Sequence, residues 1–159
     1  MTEDEDSRVT WEDLEAIQQL KARYFRHLDT NAWDDLRGLF TDTASASYSD
    51  GDHSFDSLDA IIEFLESSMS GRQFLSMHTG HHPEITLTGA DTAEGIWYLH
   101  DTVYALEHRI RISGNGIYHD RYQRVEGRWL ITHTGYRRIF EVLEPLGPEF
   151  KVTRNNYID

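Results

Sequence analysis

RIRISGNGIYHDRYQRVEGRWLITHTGYRRIFEVL, residues 109–143, decides the fold class. Apolar, aromatic and β-branched residues alternate with polar ones along two long runs, and EGR at 126–128 is the tight turn between them. The spacing predicts two long antiparallel strands, the first with a bulge or kink at Gly114–Gly116. Upstream, EITLTG, GAD and TAEGIWYLHDTVYALEH, spanning 84–108, read as strand, turn and strand.

The first half has a helical period instead. Thr10 is placed to cap a helix, with Asp13 three positions on. Trp11, Leu14, Ile17, Gln18, Lys21, Tyr24, Phe25 and Leu28 recur at helical spacing, with an end near Asp29–Thr30. Asn31 is placed to cap a short second helix, AWDDLRGLF; TASASYSD reads as a short strand and DGDH as a turn. Ser57 caps a third helix, LDAIIEFLESSM, which Gly71 ends. Helices followed by a strand meander predict an α+β fold: three helices on one face of a strongly curved antiparallel sheet, enclosing a pocket. We expect one domain over residues 10–143, an acidic tail at 1–9 and an irregular tail at 144–159.

The 159 residues carry a net charge of −13 and no cysteine, which excludes disulfides, thiolate catalysis and thiolate metal sites. An acidic chain repels nucleic acid and anionic membranes, so neither is an expected partner. No run approaches the ~18–20 apolar residues of a membrane span, and the N-terminal MTEDEDSR is no secretory signal. A cytoplasmic protein is the default expectation. Without GxGxxG, P-loop or GxSxG patterns, nucleotide and serine-hydrolase chemistry lack support.

Five polar residues stand out. Asp29 falls in the last turn of its helix, where the helix dipole disfavours an anion, and it follows Phe25 by one turn. It needs a compensating partner. Tyr24 lies within the apolar stripe. His78, in MHTGHHP, sits in a loop or at the start of a strand and can give or take a proton near neutral pH. Asp101 shares strand parity with Trp97, Leu99 and Val103, which puts a carboxylate on an apolar face. Arg138 is the cation placed to neutralise it, while Arg137 points the other way on a regular strand. The HTGHH cluster also invites a metal reading, but extended backbone makes these side chains diverge, so we expect no metal.

Three segments, LKARYFRHLDTNAWDDLRGLFTDTA (20–44), MHTGHHPEITLTGADTAEGIWYLHD (77–101) and GIYHDRYQRVEGRWLITHTGYRR (116–138), resemble the SnoaL-like branch of the NTF2-like superfamily. Within it, the chain is most similar to the scytalone-dehydratase and bile-acid-dehydratase type. The resemblance assigns the catalytic set to Tyr24 and Asp29, His78, Asp101 and Arg138. It implies elimination of water without a cofactor, from a hydrophobic hydroxylated carbonyl or ring compound in an apolar pocket. Trp97, Leu99, Val103, His82 and Tyr118 are the expected lining, although many relatives carry asparagine where His82 precedes the proline. A ketosteroid-isomerase-type isomerase, an epoxide hydrolase and a non-catalytic binding module are the alternatives. The outer face of the sheet points to a homo-oligomer, and the resemblance to the dehydratases implies a trimer rather than a dimer.

Overall fold

A computed structural model of the protein describes residues 10–158; the predicted acidic tail at 1–9 lies outside them. Helix α1 (Trp11–Asp29) begins where expected: the Thr10 side chain accepts the Asp13 backbone N–H. The Asp13 carboxylate in turn accepts from the Trp129 indole at 2.9 Å and pairs with Arg124, tying the helix start to residues 116 and 111 positions on. Helix α2 (Trp33–Arg37) is shorter than predicted. Asn31 does not cap it: its backbone has a positive φ of 55°, and Ala32 holds the cap position. Phe40 starts strand β1 (Phe40–Tyr48). A tight turn at Ser49–Gly51 leads to β2 (His53–Phe55), a strand the sequence reading missed. Ser57 caps α3 (Leu58–Met69) by accepting the Ala60 N–H.

Four long strands follow: β3 (Phe74–Gly89), β4 (Thr92–Ala105), β5 (Ile110–Val125) and β6 (Arg128–Pro145). The six strands form one curved, open sheet in the order β2-β1-β6-β5-β4-β3. It is antiparallel throughout except between β1 and β6, which run parallel. The antiparallel prediction missed this pair because β1 and the last strand are joined by most of the chain rather than by a hairpin. Gly135 permits the approach, since a Cβ there would stand 2.4 Å from the Ser47 carbonyl oxygen.

Strand β3 absorbs both the predicted 84–89 strand and the segment read as a loop or strand start. Its ladder to β4 slips by one residue between His81 and Glu84, with His82 at φ 49°. Pro83 has no N–H to give to a ladder, so the bulge forms around it on an edge strand. The bulge predicted at Gly114–Gly116 falls on the partner strand instead: the β5–β6 register shifts between Asn115 and Gly116, and the extra residue is Ile139 on β6.

Strand β4 alternates as predicted, with Ala93, Gly95, Trp97, Leu99 and Asp101 buried on the helix side. The apolar stripe of α1 meets them together with Tyr118 and Tyr122 from β5. At the far end the alternation fades, and residues 102–105 and 110–113 are all half-buried. There the sheet is less fully covered than around Trp97 and Leu99. Among the described residues no helix is long and apolar enough to cross a membrane.

Candidate functional site

The last turn of α1 delivers Asp29 to the inner face of β3. One carboxylate oxygen lies 2.6 Å from His78 Nδ1 and accepts from Ser76 Oγ at 2.8 Å; the other accepts the His78 backbone N–H at 2.8 Å. Three donors from one strand thus offset the unfavourable helix-end position of this anion. A carboxylate can only accept, so Nδ1 carries the proton and Nε2 is left as the basic nitrogen. Nε2 has no hydrogen-bond partner among the described residues. The ring stacks on Phe25, with centroids 6.2 Å apart and planes 4° from parallel. Gly80 keeps Phe25 in place, because a Cβ there would come within 2.6 Å of its ring.

Asp101 is the direct cross-strand neighbour of His78. It is 3% exposed and forms a two-pronged pair with Arg138, at 2.5 and 2.9 Å. Of the two carboxylates expected to hold the imidazole, Asp29 alone does so; Asp101 is taken by the guanidinium. Arg138 reaches it from β6 by crossing β5 at a bare place. A Cβ on Gly114 would stand 3.1 Å from Arg138 Nη1. The glycine of SGNG at 114 therefore makes the passage for this side chain. Arg138 Nε lies 3.0 Å from a Glu141 carboxylate oxygen, close enough for charge pairing but not aimed for a hydrogen bond. Burial works against the Arg138 charge, but the hydrogen bonds and charge of Asp101 outweigh it and push the pKa up. Arg137 faces outward and pairs with Asp50, as a regular strand requires.

Tyr24 lies one layer deeper. It is fully buried, with its hydroxyl donating to Tyr48 at 3.2 Å and its ring edge-on to Phe25 and Tyr118. Burial, reinforced by the neighbouring phenols, pushes Tyr24, Tyr48 and Tyr118 well above the ordinary tyrosine range. The cluster can donate hydrogen bonds but does not ionise. Tyr136 stands beside it with its ring 5.0 Å from the Arg138 guanidinium, and its hydroxyl is 2.9 Å from Ser49 Oγ.

The structure brings His78, Asp29, Asp101 and Arg138 into one layer, with Tyr24 beneath. Their side chains are 11% exposed for His78, 20% for Asp29 and 14% for Arg138, so the layer is covered without being sealed. The predicted lining divides. Leu99 and Tyr118 are core residues under the layer, and Val103 lies above it on the half-buried rim. Trp97 is packed deeper, its indole donating to Tyr122 at 2.9 Å. His82 is not part of the site. The bulge turns it outward, and it lines a cleft of about 450 Å³ with His81, Tyr98, His100 and Asn115. His81 and His82 do not diverge as expected: their ring centres stand 6.1 Å apart on the wall of that cleft, apart from His78 on the inner face, and His81 Nε2 lies 3.1 Å from Thr79 Oγ1. Among the described residues no three histidines or carboxylates are grouped to hold a metal.

Several neighbours escaped the sequence reading. Ser76 shares strand parity with His78 and could have been found that way. Tyr48 and Glu141 carry no such signal, because their places depend on how β1 and β6 pair. Lys21 is one helical turn before Tyr24. It is buried against Asp120 at 2.7 Å, with its ammonium 3.5 Å from the centre of the Tyr118 ring.

Solved structures share this architecture. A candidate scytalone dehydratase from Novosphingobium aromaticivorans superposes with a TM-score of 0.75 at 20% identity, over 89% of this chain and 95% of that one. A candidate aromatic ring hydroxylase from the same organism gives 0.76 at 22%, over 87% and 96%. A type 3 hexachlorocyclohexane dehydrochlorinase, LinA, from Novosphingobium barchaimii gives 0.74 at 18%, over 90% and 96%. At such identities the likeness speaks for the fold. The sequence profile of the SnoaL-like domain matches residues 9–135. The chain therefore belongs to the SnoaL-like domain family.

Proposed function

We propose that this protein is a cofactor-independent lyase that eliminates water from an apolar hydroxylated carbonyl compound. The observation that carries the reading is the Asp29–His78 pair, which fixes the imidazole tautomer and leaves Nε2 without a partner. Nε2 takes the proton α, or vinylogous, to the substrate carbonyl. The electrons of that C–H bond move toward the carbonyl, then form the new C=C bond as the C–O bond breaks. The imidazolium returns its proton to the departing hydroxide, which leaves as water. Asp29 stabilises the transient positive charge and holds the ring still. The tyrosine cluster supplies neutral donors for the carbonyl oxygen, with Tyr24 acting through Tyr48. Arg138 balances the buried Asp101 rather than serving as a free oxyanion binder.

Two structural relatives bear the names of elimination enzymes, one removing water and the other hydrogen chloride. That supports a reaction that begins with proton removal. An isomerase would share this first step and return the proton to carbon. An epoxide hydrolase is disfavoured, because both inner carboxylates are engaged rather than aimed at a water.

The test is turnover of a panel of cyclic β-hydroxyketones, read by absorbance of the conjugated product and by loss of one water in the mass spectrum. His78→Ala should lower kcat by about 10²–10⁴-fold while ligand affinity stays near wild type. Asp29→Asn should fall nearly as far. Undiminished turnover in His78→Ala would refute the base assignment, and a product of unchanged mass would favour the isomerase.

A further inference from the structure

We infer that Ser76 is a positioning residue for the proposed base, an inference that rests on the reading of His78 above. Strand β3 is the outermost strand of the sheet, so the backbone N–H groups on its free side face no neighbouring strand among the described residues. The His78 N–H is one of them, and Asp29 Oδ2 accepts it at 2.8 Å. That contact holds one end of the carboxylate. The other end, Oδ1, lies against two groups, His78 Nδ1 at 2.6 Å and Ser76 Oγ at 2.8 Å. Ser76 and His78 are two positions apart on β3, so their side chains stand on the same face and reach the same oxygen.

Of these three contacts, the backbone N–H is fixed by the strand and the imidazole is the group to be placed. Ser76 is therefore the remaining contact that settles how the carboxylate is turned about its Cβ–Cγ bond. A torsion of this kind is broad and is not set by the residue's own rotamer preference. Stacking on Phe25 fixes the plane of the imidazole but not its rotation within that plane. The direction of Nε2 within the plane is thus set by Oδ1, and Oδ1 is set by Ser76. Asp101 and Arg138 do not take over this task, because they are paired with each other. The hydroxyl proton of Ser76 goes to a carboxylate that can only accept, which leaves the serine nothing to donate to a substrate. It acts through Asp29 and His78. Without it the carboxylate can pivot about Oδ2 toward solvent, since the Asp29 side chain is 20% exposed. A displacement of about 1 Å in a reacting group is enough to remove much of a rate enhancement.

The test compares Ser76→Ala and Ser76→Thr with the wild type, by turnover of the hydroxyketone panel and by NMR of histidine-labelled protein without substrate. The Nδ1 proton between His78 and Asp29 should resonate well downfield of the backbone amides, and its disappearance in His78→Ala identifies it among the nine histidines. We expect Ser76→Ala to lower kcat about tenfold or more with KM within about twofold of wild type, and to shift and broaden that resonance. Threonine keeps the hydroxyl on a side chain that suits a strand, and Ser76→Thr should restore both readouts to near wild type. A lowered melting temperature with kcat per folded molecule and the resonance unchanged would make Ser76 merely structural and overturn the inference. A rise in KM at constant kcat would make it a substrate contact and also overturn it. So would a lowered kcat with an unmoved resonance, or a Ser76→Thr protein that restores neither readout. If the wild type turns over nothing in the panel, the proposed function fails, and the resonance comparison by itself decides whether Ser76 positions His78.

Discussion

Lys21→Met should be among the costliest single changes in this protein, although it touches none of the proposed chemistry. Both partners of the Lys21–Asp120 pair are essentially removed from solvent, with side chains 1% and 0% exposed. Asp120 also accepts from the Tyr122 hydroxyl and from Thr134 Oγ1, each at 2.8 Å. Removing the ammonium leaves a buried carboxylate with two neutral donors and no counter-charge. Breaking a buried pair in this way costs about 3–5 kcal/mol. Asp120→Asn strands the lysine instead and should cost a similar amount. The double variant Lys21→Met/Asp120→Asn removes both charges and keeps one acceptor for Tyr122 or Thr134. It should recover at least about 2 kcal/mol relative to the sum of the singles. Urea unfolding followed by tryptophan fluorescence and circular dichroism gives all four free energies, with the m-value checked for constancy. Single changes costing under about 1 kcal/mol, or strict additivity in the cycle, would refute the view that this pair holds α1 to β5.

Two further outcomes follow from the same structure. Tyr24, Tyr48, Tyr118, Tyr122 and Tyr136 are all held above the ordinary tyrosine range, chiefly by burial. The folded state keeps protons that the unfolded chain releases above about pH 10, so this stability is intact below that pH and lost as pH rises through the folded values. Alkaline titration should show part of the tyrosinate absorbance appearing only with loss of circular dichroism; smooth ionisation of every tyrosine in a folded protein would contradict it. Gly114→Val should drive Arg138 off Asp101, since the added Cβ meets the Phe140 carbonyl oxygen at 2.6 Å and Arg138 Nη1 at 3.1 Å. We expect a loss of about 3 kcal/mol, partly restored by adding Asp101→Asn, because the second change removes the orphaned charge; a Gly114→Val protein of wild-type stability would rule this out.

The local code of this chain was legible residue by residue. Period-2 alternation put Asp101 on the apolar face, where the structure has it, and set Arg137 and Arg138 on opposite faces without saying which one points inward. Thr10 and Ser57 announced two helix starts through side-chain oxygens that need only their own next turn. Asn31 misled because a residue at positive φ serves a tight turn as readily as a cap. His82 misled because one extra residue in a strand reverses every later side chain, and a bulge around Pro83 is set by pairing with β4.

The sequence by itself thus determined the capped helices α1 and α3, most of β4, β5 and β6, and the apolar faces of α1 and β4. Those properties depend on neighbours one to four positions away. Tertiary structure alone decided that Asp29 holds His78 while Asp101 is given to Arg138, that Gly114 clears the path between β6 and β4, and that Lys21 meets Asp120. Each of these joins positions from 24 to 99 residues apart, where the partner is chosen by strand order and helix docking. A side chain's own type and spacing carry no record of which distant charge the folded chain will bring to it.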